Sequence, residues 1–255
     1  MIYLFGDMHG AGNIPRYDNE RFPDGKLLTK DDYVIILGDF GVPWYSERSE
    51  DYKFELSSLK WLSDRPWTTL FIDGNHENFD NLYSFPEEEK FGGKVGKLAD
   101  SIYHLKRGYI YNLEGKSFFT FGGALSLDKA NRITNISWWP EEFPNREEIG
   151  RALDNLESVD YKVDYVLTHT CPLVACKDLL RQHSLSYFEV HDSAADFLDH
   201  IEKRIKCKRW FFGHFHLDYD SSDLRLKYHT LMYRYIKLNT ETNDVEYGEV
   251  KNLYY

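Results

Sequence analysis

Short apolar runs recur along the chain, and polar residues with ligand chemistry follow them directly. The first three runs occupy residues 2–5, 33–37 and 68–72 and are rich in branched and aromatic side chains. Runs of this length and composition are typical of buried β-strands. Residues 46–64, between the second and third runs, show helical spacing and end before Pro66. The order strand, helix, strand predicts an α/β sheet whose site lies at the carboxyl edge of the strands.

The middle of the chain is predicted to be less regular. Residues 12–32 are polar and turn-rich, which predicts a loop over the surface. Residues 84–100 are charged and contain glycine, which predicts a loop or a short helix. Three short runs separated by glycine turns predict an antiparallel meander over residues 102–105, 109–113 and 117–121.

The second half of the chain returns to alternating helices and strands. Helical spacing predicts helices over residues 145–157, 173–183 and 193–205. Apolar runs predict strands over residues 161–168 and 209–212, and alternation over 224–249 predicts two or three strands that close a second sheet. Because no repeat, low-complexity tract or composition shift marks a linker, residues 1–255 are predicted to form one domain.

Composition narrows the class of protein. A chain of 255 residues with 42% hydrophobic content can build a sizeable core. The net charge of -11 argues against an extended nucleic-acid-binding face, which needs a basic surface. No run reaches the roughly 20 apolar residues of a membrane span. Met1 leads straight into the first strand and leaves no room for a signal peptide, so we expect a cytoplasmic protein without membrane contact.

Residues suited to metal binding follow five of the predicted strands. They are Asp7, His9, Asp39, Asn75, His76, His169, His214 and His216. Five of the ten histidines of the chain are in this set. Histidine and aspartate are costly at buried strand ends unless they are paired or ligated. Carboxylate and imidazole groups together form a ligand set for divalent first-row metals, so the pattern predicts a metal site.

The number and type of these residues fit two metal ions better than one. Hydrolytic two-metal sites hold their ions ~3.5–4 Å apart, with one carboxylate able to bridge them. Asp39 is the expected bridge because it stands alone at its strand end, between the other groups. The positive charge of two divalent ions exceeds the negative charge of the Asp7 and Asp39 carboxylates. The remaining positive charge can activate water and bind a phosphate oxyanion. A structural zinc site, by contrast, would use cysteine thiolates and leave no coordination position open, and the residues named above include no cysteine.

The ordered motifs resemble those of the calcineurin-like metallophosphoesterase superfamily. They are Asp-x-His-Gly at 7–10, Gly-Asp at 38–39, Gly-Asn-His-Glu at 74–77, a lone His169 after a strand, and Gly-His-x-His at 213–216. The resemblance covers residues 6–216. It implies a four-layer α/β/β/α sandwich in which two mixed sheets face each other.

The resemblance also implies a division of labour among the site residues. One metal would be held by Asp7, His9, Asp39 and His216. The other would be held by Asp39, Asn75, His169 and His214. His76 would remain unligated and act as a general acid on the leaving oxygen.

One element of the superfamily's protein phosphatases is missing. Those enzymes have Gly-Asp-x-x-Asp-Arg-Gly, whereas residues 38–44 here read Gly-Asp-Phe-Gly-Val-Pro-Trp, without the arginine that grips phosphate. Arg132, accompanied by Asp128 in a glycine-led loop, is our candidate replacement, because a guanidinium fork suits phosphate oxygens. The alternative is that Arg132 makes an ordinary surface salt bridge. His104 and Arg107 are second-choice candidates.

We therefore expect a metal-dependent phosphoester hydrolase. A metal-bridging hydroxide would attack phosphorus in line, with Asp39 and His76 as the catalytic residues. Manganese, iron or zinc suits the mixed ligands better than magnesium. A phosphomonoester is the favoured substrate, whether in a small molecule, a nucleotide or a phosphoprotein.

Two other functions remain open at this point. A phosphodiesterase or nucleotide hydrolase could use the same site, with Trp44, Trp138 and Trp139 stacking on a base, unless these rings serve only in packing. A non-catalytic binding scaffold is disfavoured because every expected ligand and His76 are present.

Two further features have simpler explanations. Asp192, in the pair His191-Asp192, is predicted to cap the next helix. Cys171 lacks the arginine-rich loop of cysteine phosphatases, so it is expected to be a buried thiol. The three cysteines form no Cys-x-x-Cys motif and are predicted to be reduced.

Overall fold

Two β-sheets carry the chain, and both include parallel strands whose carboxyl ends approach one another. The computed structural model describes residues 1–187 and 191–250. Residues 188–190 and 251–255, which the predicted single domain includes, lie outside the described residues.

The first sheet is mixed, and its parallel centre is formed by the predicted strands. Numbered in chain order and given in spatial order, its eight strands within the described ranges are Val245–Glu249 (β14), Arg234–Leu238 (β13), Ile2–Phe5 (β1), Tyr33–Ile36 (β2), Thr68–Phe71 (β3), Ile102–Leu105 (β6), Gly93–Ala99 (β5) and Glu87–Lys90 (β4). Strands β1, β2, β3 and β6 run parallel, and the others pair antiparallel.

The second sheet is also mixed. Its strands in the described part of the chain, in spatial order, are Tyr219–Asp220 (β11), Tyr228–Thr230 (β12), Arg209–Phe212 (β10), Tyr165–Thr168 (β9), Lys116–Phe121 (β8) and Ile110–Leu113 (β7). Strands β8, β9, β10 and β12 are parallel.

Helices cover the outer faces of both sheets. The α-helices of the described residues are Glu50–Ser63 (α1), Phe79–Ser84 (α2), Arg146–Ser158 (α3), Leu173–Gln182 (α4) and Ser193–Glu202 (α5). Short 3₁₀ helices are Ala11–Tyr17, Pro23–Leu27, Lys129–Asn131 and Pro140–Glu142. Asn145 caps α3 in a capping box, and Asp192 caps α5, as predicted.

Alternation along the strands produces the four layers. Ile2 and Leu4 of β1 pack in the core between the two sheets, together with Leu167 of β9. Tyr3 and Phe5, on the other face of β1, pack with the helices outside the first sheet. A third apolar cluster lies between the second sheet and helices α3, α4 and α5. The predicted four-layer α/β/β/α sandwich with two mixed sheets is confirmed.

Four predictions about individual segments were wrong, and two of them concern secondary structure. Residues 84–100 contain strands β4 and β5, not the predicted loop or short helix. Strand β4 lies at the sheet edge and consists of four charged residues, so it lacks the apolar alternation from which a strand can be predicted. Residues 12–32 contain two 3₁₀ helices, and Ile14, Tyr17 and Phe22 are buried in the core, so this segment is not a simple surface loop.

The remaining two corrections concern which sheet a strand joins. The predicted meander is split, because β6 pairs with β3 in the first sheet, while β7 and β8 form a hairpin in the second. The tail was expected to close the second sheet. Only β12 does so, because β13 pairs with the open edge of β1 and β14 pairs with β13.

Candidate metal centre

All the candidate ligands lie in the loops that follow the parallel strands, at one edge of the two sheets. Asp7 and His9 follow β1, Asp39 follows β2 and Asn75 follows β3. From the second sheet, His169 follows β9, and His214 and His216 follow β10. Backbone hydrogen bonds join these loops directly, from His9 N to Asp39 O (2.6 Å) and from Gly213 N to His169 O (3.0 Å).

Four candidate ligands form one tight group, which we call the first ligand group. Ligand atoms of Asp7, His9, Asp39 and His216 all lie within 4.8 Å of one another. The Nε2 atoms of His9 and His216 are 2.8 Å apart. His216 Nε2 is 3.3 Å from Asp7 Oδ2, and His9 Nδ1 is 3.6 Å from Asp39 Oδ2. Oxygen and nitrogen donors therefore converge on one small volume.

A second ligand group adjoins the first. Asn75 Oδ1 is 3.0 Å from His169 Nε2 and also 3.0 Å from His214 Nδ1. His169 Nε2 is 3.3 Å from Asp39 Oδ1. The two oxygens of Asp39 thus face different groups, an arrangement that would let this carboxylate contact two ions.

The buried carboxylates are poorly compensated within the chain, which fits bound cations. Asp7 and Asp39 are 0% and 1% exposed. Asp39 Oδ2 is buried, and no hydrogen bond from a described residue reaches it. Because an unpaired buried carboxylate oxygen is costly, a positive charge beside it would stabilise the fold.

The pKa values of the site residues also indicate that the buried carboxylates favour a positive charge beside them. Burial by itself lowers the pKa of His169, but the carboxylates of Asp39 and Asp7 outweigh it and raise this pKa to about 10. Burial and the charge of His169 lower the pKa of His214 to about 3. Burial acts to raise the pKa of Asp39, yet the charge of His169 holds it well below its usual value. The carboxylates thus retain a proton on one imidazole when no cation is bound.

Backbone conformation at the site is strained. His9, Asp39, His214 and His216 have φ values of 55°, 47°, 69° and 51°. Non-glycine residues in this left-handed region each carry a cost on the order of 1 kcal/mol. All four of these strained residues are candidate ligands, so the strain occurs where the backbone positions the ligand side chains.

Hydrogen bonds fix the orientation of the candidate ligands. His169 Nδ1 donates to the Leu37 carbonyl over 2.8 Å, so its Nε2 faces Asn75 and Asp39. Both Asp7 oxygens accept from His214 N at 3.0 Å, and Asp39 Oδ1 accepts from His76 N at 2.8 Å. Metal-ligating histidines commonly use such a second hydrogen bond to fix their tautomer.

Glycines give the two carboxylates room. A Cβ atom added at Gly74 would collide with Asp39 Oδ1, and one added at Gly213 would collide with Asp7 Oδ1. Side chains at these two positions are therefore incompatible with the present carboxylate positions.

Glu77 is a buried organising residue whose role the sequence did not assign. Its carboxylate accepts from Phe40 N and Gly41 N at 2.8 Å and from Gly74 N at 3.2 Å. Burial, with the Asp39 charge adding to it, raises the pKa of Glu77 to about 8. Its place in Gly-Asn-His-Glu was the available signal, although that motif does not reveal the backbone contacts.

Ser126 and Glu142 were also missed. Asn75 Nδ2 donates to Ser126 Oγ at 3.0 Å, and Ser126 Oγ donates to Glu142 Oε2 at 2.7 Å. Ser126 N also donates to Glu142 Oε1 at 3.2 Å. These hydrogen bonds turn the amide oxygen of Asn75 toward His169 and His214. No local sequence pattern links these three residues, since the contact depends on tertiary folding.

His76 lies beside the first ligand group, and Arg132 contacts it. The His9 and His76 ring centroids are 5.5 Å apart. Arg132 Nη2 is 3.3 Å from His76 Nε2, while Arg132 Nε pairs with Asp128 Oδ1 at 2.8 Å. Arg132 Nη1 donates to Ser137 O at 3.1 Å. The salt bridge named as the alternative for Arg132 exists, and the same side chain reaches the site.

The second-choice candidates have other partners. Arg107 Nε donates to Asp73 Oδ2 at 2.7 Å, and its Nη2 donates to Glu141 O at 2.8 Å. His104 Nε2 is 2.9 Å from Asp73 Oδ1. These contacts form a buried ion-pair network behind the end of β3.

Trp138, Trp139 and Cys171 occupy structural positions. Trp139 Nε1 donates to Asp80, and Trp138 is buried beneath Lys129. Cys171 is buried and free, and burial raises the pKa of its thiol well above the usual value. Across the described ranges, no helix combines the length and apolar character needed to cross a membrane.

Comparison with known proteins places these observations in a family context. The family model described as calcineurin-like phosphoesterase matches residues 1–218. The lariat debranching enzyme of Danio rerio is 26% identical over 236 residues, which cover 80% of this chain and 38% of that enzyme. The chain therefore spans well under half of the length of that relative.

Two solved structures are distantly similar. The phosphopantetheinyl hydrolase from Mycobacterium tuberculosis gives a TM-score of 0.39 at 16% identity, covering 91% of this chain and 89% of that one. A structure described as a 5′-nucleotidase from Staphylococcus aureus, in complex with alpha-ketoglutarate, gives 0.44 at 13% identity, covering 97% of this chain and 52% of that one.

Proposed function

The chain belongs to the calcineurin-like phosphoesterase family, and from this premise we propose that it hydrolyses phosphoesters with the help of bound divalent metal ions. The observation that carries the proposal is the position of Asp39. Its buried carboxylate faces both ligand groups, and one of its oxygens has no hydrogen bond from the described residues. Bound divalent cations held by Asp39 would supply the missing partner.

The proposed ligands divide as the two groups do. Asp7, His9, Asp39 and His216 would hold one ion, and Asp39, Asn75, His169 and His214 the other. Their mixed oxygen and nitrogen donors suit manganese, iron or zinc. When bound, such ions polarise water and neutralise the charge that develops on phosphate oxygens.

His76 and Arg132 would act on the substrate directly. Burial lowers the pKa of His76, Asp39 opposes this effect, and Arg132 adds to it. A phosphate dianion bound beside His76 raises that pKa and so favours proton donation to the leaving oxygen. The guanidinium of Arg132 would hold phosphate oxygens next to His76, with Asp128 fixing its direction.

A phosphomonoester is the substrate class that this arrangement favours. Its terminal phosphate offers more non-bridging oxygens and more negative charge to Arg132 than a diester does. A phosphodiester remains the competing substrate, and the two are separated by experiment.

The test is hydrolysis in the presence of Mn²⁺, comparing p-nitrophenyl phosphate with bis-p-nitrophenyl phosphate. We expect the natural chain to cleave the monoester faster and Asp39→Asn to lose activity by at least 100-fold. Asp31→Asn, an exposed aspartate away from the site, is the matched control and should retain activity. Absence of any cleavage by the metal-loaded natural chain would overturn the proposal.

A further inference from the structure

A cavity of about 420 Å³ opens beside the candidate metal centre. It lies between the loop after β1, the loop after β2 and the first turns of α1. His76 and His9, the latter a member of the first ligand group, line the cavity on the side of the candidate metal centre. Its volume lies in the range of small-molecule sites. Because it adjoins the histidine assigned to the leaving oxygen, a group bound there would be the alcohol part of the ester.

Aromatic side chains line the far side of this cavity. They are Trp44, Tyr45 and Phe54. Tyr45 is 45% exposed and Phe54 is 56% exposed, so neither is used to fill the core. Large aromatic groups left open beside a candidate active site are suited to stacking on a flat ring.

The aromatic wall is held in place before any ligand binds. Glu55 is buried, and its carboxylate accepts from Trp44 N at 2.9 Å and from Tyr45 N at 3.1 Å. The ring of Trp44 packs edge-on against Trp139, with centroids 5.3 Å apart. A preorganised wall loses less conformational entropy when a ligand binds.

The charge of the cavity restricts the ligand further. Asp51 and Glu55 line it, and none of the described residues around it is a lysine or an arginine. A second phosphate group would therefore be repelled, whereas ring N–H and amino groups could donate to the exposed Asp51 carboxylate. An added Cβ at Gly12 would meet no atom within 4 Å, so the opening is unobstructed there.

We propose that this cavity binds the nucleoside of a nucleoside monophosphate, whose phosphate lies at the candidate metal centre. The inference rests on the proposed function for the chemical step. In that step the oxygen of water forms a bond to phosphorus, and the ester P–O bond breaks. The released nucleoside oxygen takes a proton, so the products are the nucleoside and inorganic phosphate.

The experiment compares kcat/KM for the four ribonucleoside 5′-monophosphates, phenyl phosphate and glycerol 3-phosphate with Mn²⁺ present. We expect at least one nucleotide to exceed both other esters. Tyr45→Ala and Phe54→Ala should each lower the ratio of nucleotide to glycerol phosphate by about tenfold, the effect of losing one stacking ring. Leu56→Ala, which removes another exposed side chain of α1 outside the cavity, is the matched control and should leave the ratio unchanged.

Calorimetric titration with the free nucleoside separates the two proposals. If the esters are cleaved without preference for nucleotides, or if phenyl phosphate equals the best nucleotide, the nucleoside subsite is refuted while the hydrolase proposal stands. If no ester is cleaved, the hydrolase proposal fails, and the binding of free nucleoside then tests the nucleoside subsite on its own. Binding that Phe54→Ala weakens and Leu56→Ala does not would then support it, and no binding by the natural chain would overturn it.

Discussion

Arg132 reaches from a long loop to the ring of His76, with Nη2 and Nε2 separated by 3.3 Å. The same guanidinium is fixed by Asp128 and by the carbonyl of Ser137, so it cannot turn away freely. This contact connects the loop that follows β8 to the loop that follows β3. It places a permanent positive charge next to the histidine that we assign to the leaving group.

Removing this guanidinium should weaken monoester hydrolysis. We expect Arg132→Ala to lower kcat/KM for a phosphomonoester by about 100-fold, as when a single charge-stabilising donor is removed. The effect on a phosphodiester should be smaller because a diester carries less charge at phosphorus. Steady-state kinetics with both substrates measures the difference.

Arg132→Lys is the informative companion variant. It keeps the charge but loses the planar fork, so activity should recover only in part. Equal kinetics for the natural chain and Arg132→Ala would show that Arg132 forms only its salt bridge with Asp128.

Ser126 should control metal affinity without being a ligand. Ser126→Ala removes the acceptor for Asn75 Nδ2 and leaves the buried Glu142 carboxylate without its hydroxyl donor. We expect metal affinity to fall by roughly 10- to 100-fold, as for other groups that orient ligands. Competition with a chromogenic chelator measures it.

Ser158→Ala provides the control for that experiment, because Ser158 is an exposed serine at the end of α3. Its metal affinity should match that of the natural chain. If Ser126→Ala bound metal as tightly as this control, the orienting role of Ser126 would be wrong.

Glu77 should hold the loops after β2 and β3 together. Above pH 8, where Glu77 is ionised, Glu77→Gln turns one of its two acceptor oxygens into a donor that faces backbone N–H groups. We expect the free energy of unfolding to fall by about 1–3 kcal/mol. Urea denaturation measures this change, with the exposed Glu89→Gln as control. A loss no greater than that of the control would refute the role.

The candidate site was more predictable from the sequence than the sheet edges were. Strands β1, β2 and β3 are buried on both faces, so their apolar runs and the Asp7, Asp39 and Asn75 that follow them stand out locally. Strand β4 lies at an edge and carries only charged residues, so nothing in its pattern marked it as a strand. Whether these residues bind metal stays a prediction.

Long-range pairing accounts for the other differences. Strand β13 joins the first sheet because the edge of β1 is open to it, which no local pattern in the tail reveals. The contact of Asn75 with Ser126 spans 51 residues and depends on the course of the whole loop. Turn signals likewise predicted a break after residue 105 without indicating that the chain changes sheets there.

Asp220 should make stability depend on acid pH. Its carboxylate accepts from His229 and Tyr247 and pairs with Arg234 at 2.8 Å, linking strands of both sheets. Burial acts to raise the pKa of Asp220, but the hydrogen bond and charge of His229 outweigh it, so the pKa lies below its usual value. The ionised form therefore stabilises the fold above about pH 3.9, the unfolded value, and this contribution is lost as pH falls through the lower folded value.

Comparing the natural chain with Asp220→Asn tests that contribution, because the titrating groups that do not contact Asp220 are common to both. The difference in unfolding free energy should be largest at pH 6 and should shrink at pH 3. A difference of the same size at both pH values would show that the ionised form of Asp220 is not favoured by folding.

The metal content of the purified chain tests the central claim most directly. After equilibration with Mn²⁺ and removal of free ion, elemental analysis should find about two ions per chain, as a two-metal hydrolytic site requires. Asp39→Asn should retain fewer than one, because the shared carboxylate is lost. A natural chain that retains no metal, or an Asp39→Asn variant that retains as much as the natural chain, would contradict the account.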